Sequence, residues 1–202
     1  MGWTDRDYNQ SKYGGRGGQL LSLLSGSVKV FRLARIDVRI HASLIIAVVL
    51  VLLFGLGQGF TWQDRLQSMS AVFAIILLHE FGHCFTARWV GGEADEIIMS
   101  PIGGLALARP PHRPLPTFLT VLGGPAVNII ICLICGSIVL AMAHRWPWNP
   151  FDMSLFANQA MHLPVARYTL WIYQISYWIL LFNLLPIFPL DGGQMLRKFY
   201  GL

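Results

Sequence analysis

Charge is what this chain most lacks. Only 12% of its 202 residues are Asp, Glu, Lys or Arg, against about 25% in an ordinary soluble domain. That shortage excludes a disordered chain, which stays solvated by carrying many charges and few apolar groups. It argues equally against a soluble enzyme. Of the residues, 54% are hydrophobic, and one small globule has too little interior to hide them. Cysteine is scarce too. Cys84, Cys132 and Cys135 all fall in apolar segments, so neither a disulfide framework nor an exported fold is expected. The opening MGWTDRDYNQSKYGGRGG contains no apolar core, which argues against a cleaved signal peptide. The formal charge is +5, but the basic residues flank apolar runs instead of forming one face. No nucleic-acid partner is expected.

What the chain has is long apolar stretches: Ile40–Phe60, Ala71–Val90, Leu115–Ala143 and Thr169–Leu190. Roughly 20 apolar residues cross a bilayer as a helix. The third stretch is interrupted by Gly123-Gly124-Pro125, where a break or a tight helix contact is expected. If the N-terminus is cytoplasmic, twelve of the fifteen Lys and Arg residues lie on the inner side. That bias predicts both termini inside. Trp62, Trp146 and Trp148 then anchor the outer interface. The expected fold is an all-α integral membrane protein, a polytopic bundle of about four transmembrane helices in contact with lipid. A membrane-associated β-hairpin follows the second helix, because EIIMS and LALA flank the Gly103-Gly104 pair. Residues 1–38 are read as a polar, basic cytoplasmic segment and residues 39–202 as the membrane domain.

The second stretch carries His79-Glu80-Phe81-Gly82-His83. Helical positions i and i+4 share a face, so both imidazoles can reach one metal ion. Glu80 can reach a water bound to that ion, which is the zinc-hydrolase arrangement of two His ligands and a carboxylate base. Three ionisable groups inside a span are expensive and mark function more often than packing.

A catalytic zinc usually takes three protein ligands and one water. The candidates for the third are His112, His144, His162, Asp152, Glu93, Asp95, Glu96 and Asp191. Asp191 is the acid of FNLLPIFPLDGGQ, where Pro186 and Pro189 bend the backbone. A metal is its most economical partner. The competing reading is an interfacial helix cap next to Gly192-Gly193.

HEFGH on an apolar helix, the later GGPAVN and the final NLLPIFPLDGG together resemble the site-2 protease family of bacterial and archaeal type, over roughly Arg39 to Arg197. RIHAS before the first apolar stretch fits the same pattern. The resemblance implies a polytopic zinc metalloprotease that cuts membrane-anchored proteins, such as anti-sigma factors, within or beside a cell inner membrane. It implies His79, His83 and Asp191 as Zn²⁺ ligands and Glu80 as general base. Asn128 and Asn183 match polar positions near the site, as contacts for substrate or oxyanion or as interhelical hydrogen bonds. The hairpin edge would hold an unwound substrate segment by β-addition. Only nine residues follow Gly193, so the last helix is expected to be short.

Two other functions use the same residues: a membrane metal transporter, and an inactive family member that acts as a binding partner. HExxH supplies a base that transport does not need, and the four site residues argue against inactivity. Cys84 is expected to fill space, Cys132 and Cys135 to pack between helices, and His41 to anchor at the interface.

Overall fold

The computed structural model describes residues 26–54, 61–101, 103–149, 153–155, 163–187 and 190–199. It opens with two antiparallel strands, β1 (Ser27–Leu33) and β2 (Ile36–His41). The alternation in IDVRIH explains β2: Ile36 and Val38 are buried, while Asp37 and Arg39 lie on the other face. The connecting turn puts Ala34 and Arg35 at φ 49° and 63°. Two successive left-handed residues make the hairpin turn that usually carries Asn-Gly, and each side chain here adds strain. Arg88 braces the turn, donating to the carbonyls of Ala34 and of Arg35 (3.1 Å), and to that of Ala94 in the third strand (2.5 Å). Replacing Ala34→Asn together with Arg35→Gly is expected to raise the melting temperature in detergent by about 2–4 °C. An unchanged melting curve would show that the turn stores no strain.

β2 leads into α1 (Ala42–Phe54) and α2 (Trp62–Trp89). A capping box starts α2: the Asp64 N–H donates to Thr61 Oγ1 (3.2 Å) and the Thr61 N–H to Asp64 Oδ2 (3.0 Å). Gly91, at φ 86°, ends it by turning the chain into β3 (Glu93–Ser100). β3 runs parallel to β2, with Asp37 opposite Glu96 and Ile40 opposite Met99. The α1–α2 crossover is what makes a parallel pair possible. β4 (Gly103–Arg109) folds back antiparallel on β3, giving the order β1-β2-β3-β4. Ile36, Val38, Ala94, Ile97 and Met99 of this sheet pack against Leu44, Phe81, Cys84 and Ala87 of the helices.

α3 (Pro114–Ala143) crosses α2 in backbone contact. A β-carbon at Gly82 would strike the Gly123 carbonyl, and one at Gly123 would strike the Gly82 carbonyl. Small residues permit such close approach. Pro125 sits inside α3, where it removes one helical hydrogen bond. α4 (Pro164–Asn183) returns antiparallel to α3. Val139 and Ala143 pack on Ala166, Leu170 and Leu155 of a short 3₁₀ turn (Met153–Leu155), and Cys132 and Cys135 pack on Tyr173. α5 (Asp191–Phe199) closes the described chain.

The expectation of an all-α bundle of about four membrane helices is therefore corrected. The described residues hold a four-stranded mixed sheet and two helices long and apolar enough to cross a membrane, α2 and α3. The hairpin is present as β3–β4, but it is half of a larger sheet. The run from Ser27 to Arg39 reads as a basic flank by its charges, although V-K-V and I-D-V-R alternate with the period of strands. Of the first apolar stretch, Ile40 belongs to β2 and 13 residues form α1. At 1.5 Å per residue these reach about 20 Å, short of a hydrocarbon core of about 30 Å; residues 55–60 lie outside the described residues. α4 has the length but carries Arg167, Gln174 and Ser176. Ile129, Ile130, Leu133, Ile134 and Ile138 of α3 remain exposed. That apolar exterior, with the two long helices, is consistent with an integral membrane protein.

Candidate active site

The crossing of α2 over α3 turns one face of α2 inward. His79, Glu80 and His83 are all buried there, at 3%, 8% and 9% exposure. His83 Nδ1 lies 2.9 Å from the Thr120 carbonyl. A carbonyl can only accept, and this contact is shorter than the 3.3 Å approach of the Gly124 N–H to the same nitrogen, so Nδ1 carries the proton and leaves Nε2 with a free lone pair. The Nε2 atoms of His79 and His83 face one another at 3.1 Å.

The third member arrives from 112 residues away. α4 ends at Asn183, the chain bends through Pro186, and α5 begins at Asp191. Gly192 permits that approach, since a β-carbon there would strike the carbonyls of Leu184 and Leu185. Asp191 Oδ2 stands 3.1 Å from His79 Nε2 and 3.4 Å from His83 Nε2. The side chain thus turns to the imidazoles, although Asp191 also opens a helix. Donor atoms bound tetrahedrally at about 2.0–2.1 Å from zinc lie about 3.3–3.4 Å apart. The three spacings of 3.1, 3.1 and 3.4 Å approximate one face of such a tetrahedron. Two imidazole lone pairs and a carboxylate held this close repel unless a cation or proton lies among them. The residues fit a zinc ion on geometry and donor type.

Glu80 sits beside this face, and its Oε2 accepts the Ala106 N–H of β4 at 2.9 Å. Gly104 makes room for it, because a β-carbon there would collide with the Glu80 carboxylate. The group opens on a cavity of about 1020 Å³, walled by residues 103–106 of β4 and by Phe182, Asn183 and Gln194. The Asn183 amide nitrogen is 3.4 Å from His79 Nε2. Asn128 is fully buried on the far side of His79, its amide nitrogen 3.1 Å from His79 Nδ1.

Among the described residues, no other group of His, Cys, Asp and Glu could hold a metal. His112 lies on the cavity wall. His144 caps α3. Glu96 pairs with Arg39 at 3.3 Å and Asp95 with Arg88 at 3.8 Å; Glu93 lies on β3, exposed. Asp152 and His162 fall outside the described residues. His41 bonds Ser43 Oγ at 2.6 Å. Cys84, Cys132 and Cys135 are buried and unpaired as disulfides. The backbone partners Thr120 and Ala106 were invisible in the sequence, since a main-chain carbonyl or N–H carries no residue signal.

The family model described as peptidase family M50 matches residues 67–146 and 147–202. A zinc metalloprotease of Methanocaldococcus jannaschii is 28% identical over 176 residues, which are 85% of this chain and 44% of that protein. Stage IV sporulation protein FB of Bacillus subtilis is 26% identical over 164 residues, 80% of this chain and 46% of that protein. The chain thus spans less than half the length of these two relatives. The solved structure of the site-2 protease from Methanocaldococcus jannaschii superposes with a TM-score of 0.58 at 23% identity, covering 87% of this chain and 72% of that one. The two share a fold.

Proposed function

The chain belongs to peptidase family M50, and on that premise we propose that it is a zinc-dependent endopeptidase that cuts membrane-anchored proteins within or beside the bilayer. The observation that carries this reading is the convergence of His79, His83 and Asp191 beside Glu80, deep among apolar helices. Bound there, zinc supplies a Lewis acid that polarises a carbonyl and lowers the pKa of water. The protein's own groups do the rest. Glu80, at the cavity wall, takes a proton from the attacking water and delivers it to the departing amide nitrogen. Asn183, on the same wall, is placed to donate to a peptide carbonyl. Apolar packing around the three ligands limits water to the cavity side and strengthens each charge interaction.

A peptide bond inside a helix is shielded, so the substrate segment must unwind before it reaches Glu80. β4 is an outer strand of the sheet and forms one cavity wall. Its free edge suits an added strand, which supports an extended segment of a single-span protein as substrate. Membrane-anchored regulators of the anti-sigma type have that form. The distribution of basic residues favours both chain ends on the cytoplasmic side of a cell inner membrane.

The test is made on detergent-purified protein. Wild type is expected to hold about one zinc per chain, as the three-ligand site requires, and to cleave a single-span model substrate. Asp191→Ala is expected to lose most of the zinc and all measurable cleavage. A wild type without zinc, or an Asp191→Ala variant that binds it equally well, would overturn the reading.

A further inference from the structure

We infer that Asn128 is the positioning residue that fixes His79 in its metal-binding tautomer, its side-chain oxygen accepting the His79 Nδ1–H. This rests on the zinc-site reading above. The starting observation is an imbalance. Asn128 is 0% exposed, and its Oδ1 has no hydrogen-bond partner among the described residues. Its Nδ2 meanwhile points at His79 Nδ1 from 3.1 Å. In that orientation His79 Nδ1 must accept, so the ring proton moves to Nε2 and removes the lone pair a metal needs.

The two ends of an amide have nearly the same shape, and their assignment follows from the surrounding hydrogen bonds. A half-turn of the Asn128 amide puts Oδ1 at His79 Nδ1. The buried oxygen then accepts a proton, Nδ1 donates, and Nε2 is free for a cation. The arrangement matches that of His83, whose Nδ1 donates to the Thr120 carbonyl. Both imidazoles are then oriented by oxygen acceptors on α3, about two helical turns apart.

Asn128 is absent from the cavity wall, whereas Asn183 lies on it. A change at Asn128 should therefore be read first in metal affinity, before any effect on substrate. The experiment uses the full chain in detergent, stripped of metal and titrated with zinc against a chelating dye. Visible absorption after cobalt substitution reports the ligand field. Asn128→Leu keeps the volume and removes the acceptor; it is expected to weaken zinc about 10–100-fold and to shift the cobalt band. Asn128→Asp restores an acceptor oxygen and is expected to stay close to wild type in both readouts. Metal-free melting curves separate folding from affinity, and Asn128→Ala takes the place of Asn128→Leu if the latter does not fold. Unchanged zinc affinity in the Leu or Ala variant overturns the inference. So does an Asp variant that folds as wild type yet binds zinc as poorly as they do. Failure of the wild type to bind zinc instead removes the site reading itself.

Discussion

Glu80→Gln is expected to keep its zinc and to cleave a single-span substrate about 10²–10⁴-fold more slowly than wild type, the range for loss of a positioned acid–base group. The substitution is narrow in its effect because the side chain is held by shape and by one hydrogen bond. A glutamine carbonyl can still accept the Ala106 N–H that Glu80 now accepts. It keeps the length of the side chain that Gly104 accommodates. What it loses is the ability to take up a proton and release it. The measurement is initial cleavage rate beside zinc content on the same preparation. Wild-type cleavage by Glu80→Gln would mean that the proton travels through another group.

Gly124→Ala is expected to lower zinc affinity on the order of 100-fold while leaving the protein folded. A single methyl group has this leverage because of where it would point. The new β-carbon would fall on the Nε2 atoms of both His79 and His83. Neither ring retreats easily, since Thr120 and Asn128 hold them from behind. The neighbouring Gly123→Ala serves as the contrast. Its β-carbon strikes the Gly82 carbonyl and Thr86, so it should separate the helices and lower the melting temperature instead. Chelator competition and thermal melting, run on both variants, distinguish the two outcomes. Equal zinc affinity in Gly124→Ala and wild type would show that the rings can move aside.

The candidate site was legible in the sequence wherever its chemistry is local. HEFGH states its own geometry, because four residues on a helix bring two imidazoles to one face. Asp191 stood out as an acid at the end of an apolar stretch, and Gly192 beside it is explained by carbonyls that leave no room for a β-carbon. Asn128 was legible as an amide in an apolar helix, but whether it faces substrate or a ligand depends on the packing of α3 against α2. The strands β1 and β2 were hidden by the charge count. Lys29, Arg32 and Arg39 read as one basic flank, whereas in β2 Asp37 and Arg39 alternate with Ile36 and Val38, which need a covered face; the apolar residues of β1 stay exposed, so burial gave that strand no signal. The span count failed for a related reason. An apolar run such as ASLIIAVVLVLLF records hydrophobicity and not helix length, and Ile40 before it was already committed to a strand.

The parallel pairing of β2 with β3 has a bearing on biogenesis. Asp37 meets Glu96, so about sixty residues must leave the ribosome before that ladder can close, and long loops of this kind form late. In the interval the β1–β2 hairpin waits with one edge of β2 unpaired. The sheet can then be completed only after the helix bearing His79 and His83 has been synthesised, because that helix lies between the two paired strands.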